Sequence, residues 1–355
     1  MRLERNVVFW IIILAVVVGL LVLLHHILLP FVVGAALAYV LNPLANRLTK
    51  RGMSRLVAAL VILCGFILVF GVVFVVAAPI LARQIAGLIA NVPAYAQRLQ
   101  EIANDPSHTW LNYVVGGRSS AGGNPVGTFV SKFIDYLTGV LPSLLTEGEA
   151  LLSLFSLLVI APVVAFYMLC DWSAIIGAFD DLIPLHQRDT VRGLARDINT
   201  AISGYFHGQL IVCLILACYY AAGLTLAGLS FGLLIGVVGG ILSFIPYVGS
   251  LTVLVVSFGV AVAEFFPDWK RILIIVGVVL VGQFCEGNVL SPKLVGESVG
   301  LHPVWLIFAL LAAGYLFGFV GLVLAVPLAA AAGVLTRFAL RRYRESPYYT
   351  GGGPA

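Results

Sequence analysis

The sequence predicts an all-α, polytopic membrane protein with about six full spans plus two broken or re-entrant helical hairpins, alternatively eight spans, and amphipathic interfacial helices. Three observations carry that reading. First, 61% of the 355 residues are hydrophobic and only 10% are charged, with a mean hydropathy of +1.08. A soluble domain carries about 25% charged residues, so this inventory cannot cover a water-facing surface. Second, Asp, Glu, Lys and Arg are absent from residues 6–46, 56–82, 150–170, 198–263, 272–285 and 298–336, and a spanning helix needs about 20 apolar residues. Third, two apolar segments are too long for a simple span, and each is interrupted in its middle.

The N-terminus begins with Arg2 and Arg5, as a signal peptide does. Its apolar run outlasts an h-region of about 7–15 residues, and no small-residue cleavage site follows, so it reads as a retained first span. The 6–46 run divides near His25, His26 and Pro30, giving helices at 7–25 and 29–45, with Asn42-Pro43 closing the second. Helices at 56–81, 150–170, 204–227, 231–263, 271–290 and 304–338 follow. In domain terms, 1–82 holds the first three spans, 83–149 an extracytoplasmic amphipathic region, 150–170 the fourth span and 171–203 a cytoplasmic amphipathic helix. Residues 204–338 form a transmembrane core, and 339–355 a basic, flexible cytoplasmic tail.

Basic residues orient the chain. Arg2 and Arg5, the loop residues Arg47, Lys50, Arg51 and Arg55, and the tail residues Arg337, Arg341, Arg342 and Arg344 all fall in the cytoplasm if the number of crossings is even, as the positive-inside bias favours. Arg188, Arg192 and Arg196 then lie inside as well. These three recur at helical spacing opposite Val191, Leu194, Ala195 and Ile198, a stripe that suits anionic headgroups or a helix that merely links spans. Residues 83–149 carry two apolar stripes, Ile85, Leu88, Ile89, Val92, Tyr95, Leu99 and Ile102, then Phe129, Val130, Phe133, Ile134, Leu137, Val140 and Leu141. Such helices lie on a membrane surface, pack on a neighbouring subunit, or form a small cap.

The broken segments are the most informative. At 1.5 Å per residue, 231–263 and 304–338 would each reach roughly 50 Å, against a hydrocarbon core of about 30 Å. Ile245-Pro246-Tyr247-Val248-Gly249 interrupts the first and Phe317-Gly318-Phe319-Val320-Gly321 the second. Proline removes an amide donor and glycine admits positive φ, so each is either a kinked helix or a re-entrant hairpin. An offset of 72 residues maps Gly228-Leu229 onto Gly300-Leu301 and Tyr247-Val248-Gly249 onto Phe319-Val320-Gly321. Paired interrupted segments point to a transporter's central site.

Polar residues at membrane depth are few. Gln283 and Glu286 share a helical face ahead of Pro292, and Glu286 is the candidate protonatable or cation-binding carboxylate, or an interfacial acid paired with Lys293. Gln209 lies early in the 204–227 helix, where it bonds a polar substrate or another helix. Candidate substrate-binding residues are therefore Gln209, Pro246, Tyr247, Gly249, Gln283, Glu286, Asn288, Pro292, Gly318 and Gly321. The five cysteines form no CxxC pair, and no His/Cys cluster suggests zinc. There is no GxxxxGK[ST] or HExxH. No catalytic residue, metal, cofactor or nucleic-acid partner is expected; small molecules or ions and membrane lipids are.

Several motifs in order resemble one family along nearly the whole chain: Leu29-Pro30-Phe31 with Gly34, Leu37-Ala38-Tyr39-Val40-Leu41-Asn42-Pro43-Leu44, and Arg51-Gly52. Phe166-Tyr167-Met168-Leu169 before Asp171, Tyr205 with Gly208-Gln209, and Ile245-Pro246-Tyr247-Val248-Gly249 continue the series. Glu286-Gly287-Asn288-Val289-Leu290-Ser291-Pro292-Lys293-Leu294-Val295-Gly296, leading into Gly300-Leu301-His302-Pro303, is the strongest. The chain resembles the AI-2E (autoinducer-2 exporter, PerM-type permease) family. That resemblance implies a multi-pass transporter of the bacterial inner membrane that exports autoinducer-2, a furanone-type quorum signal, or exchanges Na⁺ or Li⁺ for H⁺. It also implies homo-oligomers, pentamers among them, whose hairpin-bearing parts move like an elevator. Three functions follow as expectations: export of a small polar metabolite, cation/proton antiport through Glu286, or a non-transporting membrane scaffold.

Overall fold

The computed structural model describes residues 16, 19–20, 23–104, 148–295, 302–346 and 349. Its helices are α1 (His25–Thr49), α2 (Arg55–Asn104), α3 (Gly148–Asp181), α4 (Arg188–Leu226), α5 (Gly232–Leu242), α6 (Val248–Phe265), α7 (Trp269–Cys285) and α8 (Pro303–Arg344). A 3-10 turn at Leu185–Gln187 precedes α4, and a π-helical segment, Glu286–Val295, follows α7. Among the described residues there is no strand, and 7 helical stretches are long and apolar enough to cross a membrane. The protein is thus an all-helical, multi-pass membrane protein. Most of the predicted first span, the 129–141 stripe and Gly300-Leu301 lie outside the described residues.

Several boundaries differ from the sequence reading. α1 passes through Pro43 to Thr49, because proline inside a membrane helix is tolerated where neighbours satisfy the freed backbone. α2 is one 50-residue helix, so the span at 56–81 and the first extracytoplasmic stripe are continuous. α4 joins the predicted cytoplasmic helix to the next span in 39 residues. Pro292 does not end the helix after Glu286; it sits inside the π-helical segment.

The chain forms two compact units, one drawn from within Met1–Leu68, Phe155–Leu210 and Ser291–Ala355, the other from within Val69–Leu154 and Ile211–Leu290. In the first, Ala38, Leu41 and Ala45 of α1, Ala59 and Leu63 of α2, and Ala165 and Leu169 of α3 make a buried cluster. Small residues let these helices approach closely: a Cβ on Gly34 would lie 2.6 Å from the Ala161 carbonyl oxygen. Arg55 closes this corner. Its Nε donates to the Leu169 carbonyl at 2.7 Å, and its two terminal nitrogens donate to the side-chain oxygens of Asn46 and Asn42. The Tyr39 hydroxyl donates to Asn199 Oδ1 at 2.6 Å, with the rings of Trp172 and Phe206 beside it. Arg188 and Arg192 pair with Asp180, Arg192 through two nitrogens at 2.8 and 2.6 Å. The basic stripe is therefore largely answered from within the chain.

α8 is two arms rather than one rod. Gly318 has φ 58 and ψ −137, a conformation reserved for glycine. Beyond it the chain doubles back. A Cβ on Gly321 would collide with the Ala313 carbonyl, and one on Gly314 would lie 2.9 Å from Leu322. Residues eight apart touch this way only in a hairpin, since eight residues of straight helix advance about 12 Å.

The second unit holds the other hairpin, α5 turning into α6. Gly232, Gly236 and Gly240 recur every helical turn, and each leaves room for α4 backbone, at Leu224-Thr225, Ala221 and Ala217 respectively. On the neighbouring face Gly239 admits Val253 of α6. At the open end the Ser230 amide donates to Glu264 Oε2 at 3.3 Å, which joins the entrance of α5 to the exit of α6. α2 holds the same end. Gln84 Oε1 accepts from the Leu234 amide at 2.8 Å, the Tyr95 hydroxyl donates to Glu264 Oε1, and Phe231 packs on Gly87 and Tyr95. The first amphipathic stripe is thus turned toward a hairpin of its own chain, with Leu88, Val92 and Ala96 buried.

Candidate transport site

The tip of the α5–α6 hairpin is residues 243–247. Pro246 cannot donate to the preceding turn, and Tyr247 sits at φ 68, the one non-glycine residue with positive φ among those described. For an L residue that conformation costs about 1–2 kcal/mol. Gly249 is required one step on, because a Cβ there would strike the Ser243 backbone. Tyr247 is 52% exposed, so its ring is not what compensates the strain. α6 begins here, and its first-turn amides lack intrahelical acceptors while the positive end of its dipole faces the tip.

α7 brings a polar edge to that tip. Gln283 Nε2 donates to the Ser250 carbonyl at 3.3 Å, next to Gly249. One turn further, Glu286 is half-buried and makes no hydrogen bond or ion pair among the described residues. Asn288 is exposed and donates to the Phe284 carbonyl at 3.0 Å, within its own helix. A π-helix bonds i to i+5 and recurs at functional sites; here it carries Glu286, Asn288 and Pro292.

α4 and α7 are locked by side chains that sequence reading passed over. The Tyr219 hydroxyl donates to the Val278 carbonyl at 3.0 Å. Tyr220 is fully buried, with its ring on Gly282 and its hydroxyl 2.6 Å from where a Cβ at Gly282 would stand. That hydroxyl has no hydrogen-bond partner among the described residues, and Glu286 lies within its electrostatic reach.

The predicted residues thus fall into separate groups. Pro246, Tyr247, Gly249 and Gln283 meet at one hairpin tip, with Glu286 and Asn288 following on α7's continuation. Gln209 is buried on α4 in the first unit, beside Gly208, whose missing side chain admits the Leu294-Val295 backbone. Pro292 is exposed there, and Gly318 and Gly321 build the other hairpin. Arg55 entered the sequence reading only as a loop charge and Tyr95 only as a stripe residue, and Tyr220 and Glu264 were not singled out. For Glu264 the available signal was its place as the acid ending the longest charge-free run; Tyr220 offered none.

Two hairpins, one with a strained non-helical tip edged by Gln283, are interrupted segments of the kind that membrane transporters carry. The AI-2E family transporter model matches residues 11–341, and the chain belongs to that family. It is 28% identical over 309 residues to "Putative transport protein YueF" of Bacillus subtilis, covering 86% of this chain and 82% of that one. "Putative transport protein YrrI" of the same organism is also 28% identical, with 90% and 88% covered. "Putative permease PerM" of Escherichia coli K12 is 28% identical, with 88% and 87% covered.

Proposed function

We propose that this protein is a secondary transporter of a bacterial inner membrane that exports a small polar metabolite of the autoinducer-2 type by alternating access. The observation that carries the reading is the α5–α6 hairpin tip. Non-helical backbone at membrane depth persists only where it is buried in protein or lines a cavity, and half-helix ends at such breaks bind cargo in transporters. Tyr247, Gly249 and Gln283 would contact the cargo, with Asn288 following on the continuation of α7. Both termini would be cytoplasmic, as the basic residues favour.

Cation/proton antiport is the second reading, favoured by one observation: Glu286 is a half-buried acid with no cation paired to it among the described residues. A flux assay in proteoliposomes, with labelled autoinducer-2 in one arm and Na⁺ and pH dyes in the other, separates the two. Saturable autoinducer-2 efflux is the expected result. Cation-coupled pH change without efflux selects antiport, and correctly folded protein that moves neither rejects both.

A further inference from the structure

We propose that the Tyr220 hydroxyl is the intramolecular donor that positions the Glu286 carboxyl during the transport cycle, an inference that rests on the transporter reading above. A buried hydroxyl without a partner is costly, because the group has left water and regained nothing. Yet the surroundings are shaped to hold this one. Gly282 leaves the space in which the Tyr220 ring lies, and a side chain there would contact ring and hydroxyl alike. The neighbouring tyrosine spends its hydroxyl on the Val278 carbonyl at 3.0 Å, so the two adjacent phenols are treated differently by the same helix pair.

Glu286 is the group within range. It stands one turn after Gly282 on α7's continuing helix, with helical φ −57 and ψ −56. Residues four apart share a face with Cβ atoms about 5–6 Å apart. The Tyr220 hydroxyl lies over the Gly282 position, so the proposed pairing calls for a rotation about the Glu286 side-chain bonds rather than a helix movement. Among the described residues, Cys213 on α4 also lies within electrostatic reach of this acid, and Cys285 adjoins it in sequence. Neither donates as a phenol does, thiols being weak donors. Two arrangements result. With the side chain turned out, the acid is open to water or cargo at the hairpin edge; turned in, it is held against Tyr220 between α4 and α7. Ionised, the carboxylate accepts from the phenol. Protonated, it has taken one proton on oxygen and its carbonyl accepts from the same phenol, whose O–H bond stays intact.

The test is a cycle of Tyr220→Phe, Glu286→Gln and the double variant, in detergent and in proteoliposomes. Phenylalanine keeps the ring on Gly282 and removes only the unpartnered hydroxyl, so the apparent thermal midpoint should be no lower than wild type. Cargo turnover should nevertheless fall about tenfold, the scale of one charge-assisted hydrogen bond. The double variant should be no slower than Glu286→Gln alone, as for groups acting as a unit. Infrared difference spectra between neutral and acidic pH give a readout that needs no cargo. The carboxyl carbonyl band removed by Glu286→Gln should change frequency in Tyr220→Phe, since a phenol donor polarises that carbonyl.

Wild-type turnover in Tyr220→Phe, losses that multiply in the double variant, or a band unmoved by Tyr220→Phe would each overturn the pairing. A spectrum from which Glu286→Gln removes no band does the same. If wild-type protein moves no cargo while the band still shifts, the transport reading fails and the pairing stands.

Discussion

At the scale of single residues, close helix approach is bought with glycine. A Cβ on Gly236 would strike the Ala221 backbone, which cannot swing aside as a side-chain end can. Gly236→Ala therefore has to push α5 off α4, and overpacking of this kind costs about 1–3 kcal/mol. Gly277 faces open space on α7, so Gly277→Ala should be neutral or stabilising by up to about 1 kcal/mol. Thermal unfolding of the two variants in detergent checks the contrast. Arg55 gives a second residue-scale prediction. Its planar fork meets three acceptors, from Leu169, Asn46 and Asn42, and lysine cannot reproduce that geometry. Arg55→Lys should lower stability by about 1–2 kcal/mol and fail to rescue Arg55→Ala. Tyr247 should behave in the opposite way: Tyr247→Gly relieves a positive φ worth about 1–2 kcal/mol, so stability should rise. Transport should fall in the same variant if the exposed ring reads cargo. Unchanged flux would remove Tyr247 from the site.

At the scale of elements, the junction of α3 and α4 responds to pH. Asp180 lies ten residues past the charge-free run that ends at Cys170, at the last turn of α3. The hydrogen bond from Arg192, with the charges of Arg188 and Arg192, holds its carboxyl below the ordinary carboxylate range. Because the folded state favours the ionised form, the junction is stabilised at neutral pH, and that contribution disappears as pH falls through and below about 4. Asp180→Asn should thus melt earlier than wild type at pH 7, with the gap closing toward pH 3. A gap that stays constant would mean the ion pairs contribute nothing.

Elements also show what sequence can and cannot carry. Both hairpins were legible, because 33 or more apolar residues exceed a bilayer and the Pro246 and Gly318 breaks are written in residue type. The positions of Tyr247 and Gly249 at the tip followed from the same signal, whereas Gln283 came from its polar character in an apolar run. The continuity of α2 was not legible. Arg83 ends the charge-free run, yet a helix crosses from lipid to water without any local mark. The Tyr95–Glu264 and Arg55–Asn42 contacts were equally hidden, since they join residues 169 and 13 positions apart and only the folded packing selects them.

At the scale of the whole molecule, the hairpins decide how often the chain crosses the membrane. Length alone would let α8 cross, and the α5–α6 segment would cross if straight. Against this, α5 has only 11 residues, about 16 Å of helix, too short to span. The Ser230–Glu264 hydrogen bond places the two ends of α5–α6 side by side, and Gly321 against Ala313 folds α8 on itself. The hairpin topology thus proposes six crossings: the N-terminal apolar run expected from the sequence, then α1, α2, α3, α4 and α7. Each hairpin then returns to the side it left. Single cysteines, introduced into a variant lacking the native five, convert this into an accessibility map. Ser230→Cys and Asp268→Cys should react with an impermeant maleimide from the same side of sealed vesicles, and so should His302→Cys and Thr336→Cys. The first pair should label from outside and the second from the cytoplasm. In an eight-span protein, Ser230 and Asp268 would label from opposite sides, as would His302 and Thr336, and either result would refute the hairpin topology on which the proposed transport site depends.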